Sequence, residues 1–121
     1  MIAGWVAVSV AVAQPTIPTL SGRVVDEAGV LSASAEREIT TLLREQEIET
    51  GNQLAVLTIR SLGAMAVEEY ALEVARTWQL GTEQNDNGVL FLLAIDDREM
   101  RIEVGYGLEG VLPDVTASRI L

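Results

Sequence analysis

Val89-Leu90-Phe91-Leu92-Leu93-Ala94-Ile95, then Asp96-Asp97-Arg98-Glu99, then Met100-Arg101-Ile102-Glu103-Val104, is the stretch that decides the fold. Seven apolar residues in a row are the signature of a strand covered on both faces, as in the middle of a parallel sheet. The polar run after it turns the chain. Met100, Ile102 and Val104 then alternate with Arg101 and Glu103, which marks a half-exposed strand. A short turn between two strands dictates an antiparallel hairpin. One end of the sheet is therefore antiparallel, and the chain before it decides whether the rest is parallel.

That chain alternates between helix and strand. Arg23-Val24-Val25-Asp26 reads as a short extended piece and Ser32 as a helix N-cap. From Ala33 to Glu49, Ala35, Ile39, Leu42 and Leu43 form an apolar stripe, with Gly51 as the expected C-cap. Gln53 to Ile59 reads as a buried strand. Val67, Tyr70, Ala71, Val74, Ala75 and Trp78 recur with helical spacing, and Gly81 is the expected stop. Thr82 to Gly88 reads as a polar loop. After the hairpin, Gly105 to Leu112 reads as a loop. Asp114 caps a last helix that the sequence leaves incomplete at Leu121. The order β-α-β-α-β-β-α predicts an α/β protein: a three-layer α/β/α sandwich with a mixed sheet, its last helix truncated.

At the amino end, residues 1–13 carry no charged side chain and close on Ala11-Val12-Ala13, an A-x-A cleavage pattern. Thirteen helical residues reach about 20 Å, too short for a hydrocarbon core of about 30 Å. The expectation is an export signal over 1–13, a linker over 14–20 and a folded domain over 21–121. The basic n-region of such a signal is missing.

Composition removes whole classes of chemistry. The 121 residues hold 18 Asp and Glu against eight Arg, for a net charge of −10, with no Lys, His or Cys. Without Cys or His there is no disulfide, thiolate nucleophile, Ser-His-Asp triad or HExxH zinc site. Without Lys there is no P-loop or Schiff base. The charge repels phosphate backbones, so no nucleic acid is expected as partner. Oxygen ligands remain, and they suit Ca²⁺, Mg²⁺ or Mn²⁺.

Two motif matches fail on mechanism. Gly105-Tyr-Gly-Leu-Glu-Gly110 spells G-x-G-x-x-G, but no helix opens at its third glycine to receive a pyrophosphate. Glu83 to Gly88 imitates the first half of an EF-hand loop, but the twelfth position, which requires a bidentate carboxylate, is Ala94. The acidic and amide residues of the loops remain. Asp26 and Asp96-Asp97 are candidates for the carboxyl edge of the strands, the usual ligand crevice of an α/β sheet. Asp86 enters from the opposite end if its strand runs parallel to the first.

Taken in order, Val24-Val25-Asp26-Glu27-Ala28-Gly29-Val30-Leu31-Ser32, Thr50-Gly51-Asn52-Gln53, Glu69-Tyr70-Ala71, Trp78-Gln79-Leu80-Gly81, Asp86-Asn87-Gly88, Asp96-Asp97-Arg98, Arg101 to Gly110 and Pro113-Asp114 resemble the TPM-domain family. That family includes thylakoid-lumen proteins of photosystem II repair and exported or membrane-anchored bacterial proteins. The resemblance implies a compact α/β/α sandwich outside the cytoplasm, in the periplasm or cell envelope. It implies binding of a divalent cation, chiefly calcium, and in some members a weak acid phosphatase activity. It also implies an envelope or membrane complex as partner, and an anchor downstream of residue 121. By motif position it points to Asp26, Asp86, Asn87, Asp96, Asp97, Glu109 and Asp114 as metal ligands. The expectation is thus a non-enzymatic cation-binding module. The alternative is a metal-assisted phosphomonoesterase, which needs an Arg beside the carboxylates, with Arg23, Arg98 and Arg101 as candidates.

Overall fold

The computed structural model describes residues 15–81 and 87–104. They form β1 (Val24–Asp26), α1 (Ala33–Thr50), β2 (Gln53–Ile59), α2 (Val67–Thr77), β3 (Gly88–Ala94) and β4 (Glu99–Val104). The sheet runs in the order β1-β2-β3-β4. β1, β2 and β3 are parallel, with Val24 opposite Val56 and Leu57 opposite Leu92, and β4 returns antiparallel with Phe91 opposite Ile102. The mixed α/β architecture is the expected one. The last helix of the sequence reading lies outside the described residues.

The local chemistry sets the boundaries. Ser32 caps α1 through its Oγ, which accepts from the Ala35 amide at 3.0 Å, and Gly51 ends it at φ 76°, as expected. The end of α2 differs. The helix stops at Thr77, and Gln79 is left-handed at φ 52°, ahead of the expected stop Gly81, which is left-handed too at φ 85°. The Leu80 amide then donates to Ala75 O and that of Gln79 to Arg76 O, closing a Schellman-type turn. Gly81 also permits a close backbone approach. A Cβ there would lie 2.6 Å from the Gly88 nitrogen, and one on Gly88 would lie 2.5 Å from the Leu80 carbonyl carbon. Only two glycines let these backbones come so close.

Side-chain alternation along the strands divides the core. Val25, Ala55, Leu57, Ile59, Leu90, Leu92 and Ala94 pack with Val67, Tyr70, Ala71, Val74 and Trp78 of α2. α1 lies against β1 and β2 and buries Leu43 apart from that cluster. Val89 and Ile102 form a second cluster with Leu54, Phe91 and Val104.

The segment expected to be a linker is part of this packing. Ile17 and Leu20 sit against the α2 cluster. The Tyr70 hydroxyl donates to Thr16 O at 3.0 Å, and the Trp78 indole N–H donates to Pro18 O at 2.8 Å. Both partners lie more than fifty residues away in sequence, a distance at which no local pattern could announce them.

Candidate functional site at the carboxyl edge of the sheet

Three parallel strands deliver their carboxyl ends to one edge, and the loops there carry Asp26, Arg60, Asp96 and Asp97. Pairing of β2 with the chain after β3 continues past both strands: Ile95 N donates to Ile59 O, and Asp96 N to Arg60 O at 2.8 Å. That extension sets Asp96 beside Arg60. Arg98 closes the hairpin turn at φ 54°, its amide donating to Ile95 O at 3.2 Å.

The three carboxylates differ in what they hold. Asp26 is a hub. Its Oδ1 accepts from Thr58 Oγ1 at 2.6 Å and from Val30 N at 3.1 Å, and its Oδ2 accepts from Leu31 N at 2.9 Å. Thr58, only 1% exposed, also accepts from the Ala28 amide through Oγ1. Burial by itself would raise the Asp26 carboxyl, but the hydrogen bonds from Thr58, Leu31, Val30 and Gly29 together hold it below its ordinary value of 3.8. Asp97 accepts from the Leu62 amide through Oδ2 at 2.7 Å. Asp96 faces Arg60 at 3.8 Å, with both side chains about 60% exposed.

Of the seven residues singled out by sequence, Asp26, Asp96 and Asp97 share this edge. Asn87 stands at the opposite edge, where its Nδ2 donates to Gly51 O and its carbonyl accepts from Gln53 N at 2.9 Å. Asp86, Glu109 and Asp114 lie outside the described residues. Asp26 is itself set apart from Asp96 and Asp97 by two strand spacings, about 10 Å. Among the described residues no three carboxylates converge as a ready cage. A hard cation fits the donor type at Asp96 and Asp97. At Asp26 three of about four acceptor positions are already engaged.

Three residues escaped the sequence reading. Thr58 sits inside an apolar strand, where no local pattern marks it. The Leu62 amide has no sequence signature at all. Arg60, just past the end of β2, was not among the candidate arginines, although a polar residue at the carboxyl end of a parallel strand is a signal that could have found it. Two of the candidate arginines are engaged elsewhere: Arg23 donates through Nε and Nη2 to Glu47, and Arg101 donates to Glu103 at 3.3 Å.

Comparison with known proteins agrees with this architecture. Two curated proteins of rice, from the indica and japonica subspecies, are UPF0603 proteins described as chloroplastic. Each is 31% identical over 83 residues, 68% of this chain. The match takes in 28% of their own length, so the chain spans less than a third of these relatives. The solution structure of the N-terminal domain of a Porphyromonas gingivalis protein (P.gingivalis) superposes with a TM-score of 0.78 at 42% identity, covering 86% of this chain and 69% of that one. A protein of the psychrophilic bacterium Bizionia argentinensis shares the fold at a TM-score of 0.62 and 24% identity, over 71% of this chain and 59% of that one. A family model described as TPM domain matches residues 24–121, and the chain belongs to that family.

Proposed function

We propose that this domain is an exported cation-binding module that takes a divalent ion, calcium in the first instance, at the carboxyl edge of its sheet. The observation carrying this reading is the division of labour among the edge carboxylates. Asp26 fastens the loop after β1, whereas the Asp96 side chain is exposed and, among the described residues, meets a loose ion pair alone. Asp96 and Asp97 are adjacent, and two neighbouring carboxylates repel each other until a metal relieves the repulsion. They are the residues that would hold the ion, supplemented by water. The relatives described as chloroplastic support placement outside the cytoplasm; the proposed partner is an envelope or membrane complex.

Calorimetric titration of Ca²⁺ and Mg²⁺ into the full chain and into Asp96→Asn tests the reading. Saturable heat that the variant loses supports it. No heat at millimolar metal in a folded sample overturns it and favours a protein-interaction scaffold.

A second reading, metal-assisted phosphomonoesterase, rests on Arg60 beside Asp96. A guanidinium at that position could steady a phosphoryl group next to a carboxylate-held cation. Hydrolysis of p-nitrophenyl phosphate that requires metal and falls at least tenfold in Arg60→Ala would establish it. Equal turnover in the variant removes it.

A further inference from the structure

The segment Pro15-Thr16-Ile17-Pro18-Thr19-Leu20 has the spacing P-x-x-P, and it has no helix or strand pairing. Proline fixes φ near −65°, and the residue before a proline is pushed toward extended backbone, so Ile17 before Pro18 is biased to the polyproline conformation. Thr16 and Thr19 are exposed, while Ile17 and Leu20 pack on the core. The protein grips this segment by two main-chain carbonyls, Thr16 O and Pro18 O. The donors are a tyrosine hydroxyl and a tryptophan indole eight residues apart, one within α2 and one at its C-cap.

Aromatic donors to the carbonyls of an extended proline segment, with apolar side chains seated between them, are the general chemistry by which grooves read P-x-x-P peptides. A rigid segment loses little entropy on docking, which suits such a groove. Tyr70 and Trp78 are 0% and 8% exposed with the segment in place, so with it gone each donor would lose its protein acceptor and be uncovered. Burial, and secondarily the nearby Glu27, pushes the Tyr70 phenol up, which keeps it a donor.

We propose that the Tyr70–Trp78 face of α2 is a proline-peptide groove occupied in cis by residues 15–20. These residues form a strap that precedes the 24–121 span of the family match. The same groove accepts an extended P-x-x-P segment in trans once the strap is released.

The test uses the full chain carrying Ile17→Ser and Leu20→Ser, read by NMR at the Trp78 indole proton. Its exchange is expected to rise at least tenfold relative to wild type. A synthetic peptide of residues 14–21 at millimolar concentration should restore protection saturably, and the same peptide with Asp at position 17 should not. Unchanged indole exchange in the variant overturns the proposal. So does a folded variant that no concentration of peptide protects. Where the double variant fails to fold, Tyr70→Phe in the full chain removes one grip alone. It should speed proteolytic cleavage within 15–21 several-fold, and an unchanged cleavage rate overturns the proposal.

Discussion

The two edges of the sheet fasten their loops with different chemistry. At the carboxyl edge the fasteners are charged: Asp26 collects Thr58, Val30 and Leu31, and Asp97 collects Leu62. At the amino edge they are neutral amides: Asn87 reaches Gly51 O at 2.6 Å, and Gln53 Oε1 accepts from Gly81 N at 2.8 Å. Both edges gain order, but among the described residues only the first set of fasteners titrates. Within the carboxyl edge, Asp26 stabilises the fold through three hydrogen bonds whereas Asp96 is exposed in a loose ion pair.

The difference can be broken most severely at the amino edge, where the backbones of Gly81 and Gly88 meet. Gly88→Ala places a methyl 2.5 Å from the Leu80 carbonyl carbon, and a loss of about 3 kcal/mol is expected in chemical denaturation. Asp26→Ala comes next, at about 2–3 kcal/mol, because it strands the buried Thr58 hydroxyl and two amides. A result near zero would make Asp26 dispensable to the fold and available to a ligand.

Acid separates the edges without mutation. The Asp26 carboxyl is held below 3.8, so its contribution is complete above that pH and is lost as pH falls through the folded value. Hydrogen-exchange protection at Val30 and Leu31 should fall below pH 3.8 before that at Gln53 and Gly81. Simultaneous loss would show that the edges unfold as one. Asn87→Ala should cost about 1 kcal/mol with no pH dependence. Asp96→Ala should change stability by less than about 0.5 kcal/mol, since exposed ion pairs are worth little.

Much of the fold was legible because its signals are local. Ser32 and Gly51 announce α1 through cap chemistry, and the limits of β2 follow from an apolar run between polar residues. The carboxyl-edge placement of Asp26, Asp96 and Asp97 follows from strand direction alone. What escaped depends on remote partners. Thr58 serves Asp26 from 32 residues away, Asp97 serves Leu62 from 35, and the strap is held from 54 and 60. α2 closes at Gln79, two residues before Gly81, and the close approach of Gly81 to Gly88 is visible only once the strands are paired.

The strap has a consequence in time. Closing a chain over more than fifty residues costs more entropy than closing the β3–β4 hairpin across its short turn, so the hairpin can form early. The groove on α2 exists only after α2 has docked on the sheet. Pro15 to Leu20 thus leave the ribosome before α2 and find their place only after it has docked. Until they do, Tyr70 and Trp78 stand uncovered, and a chaperone that binds apolar aromatic surface has its window then.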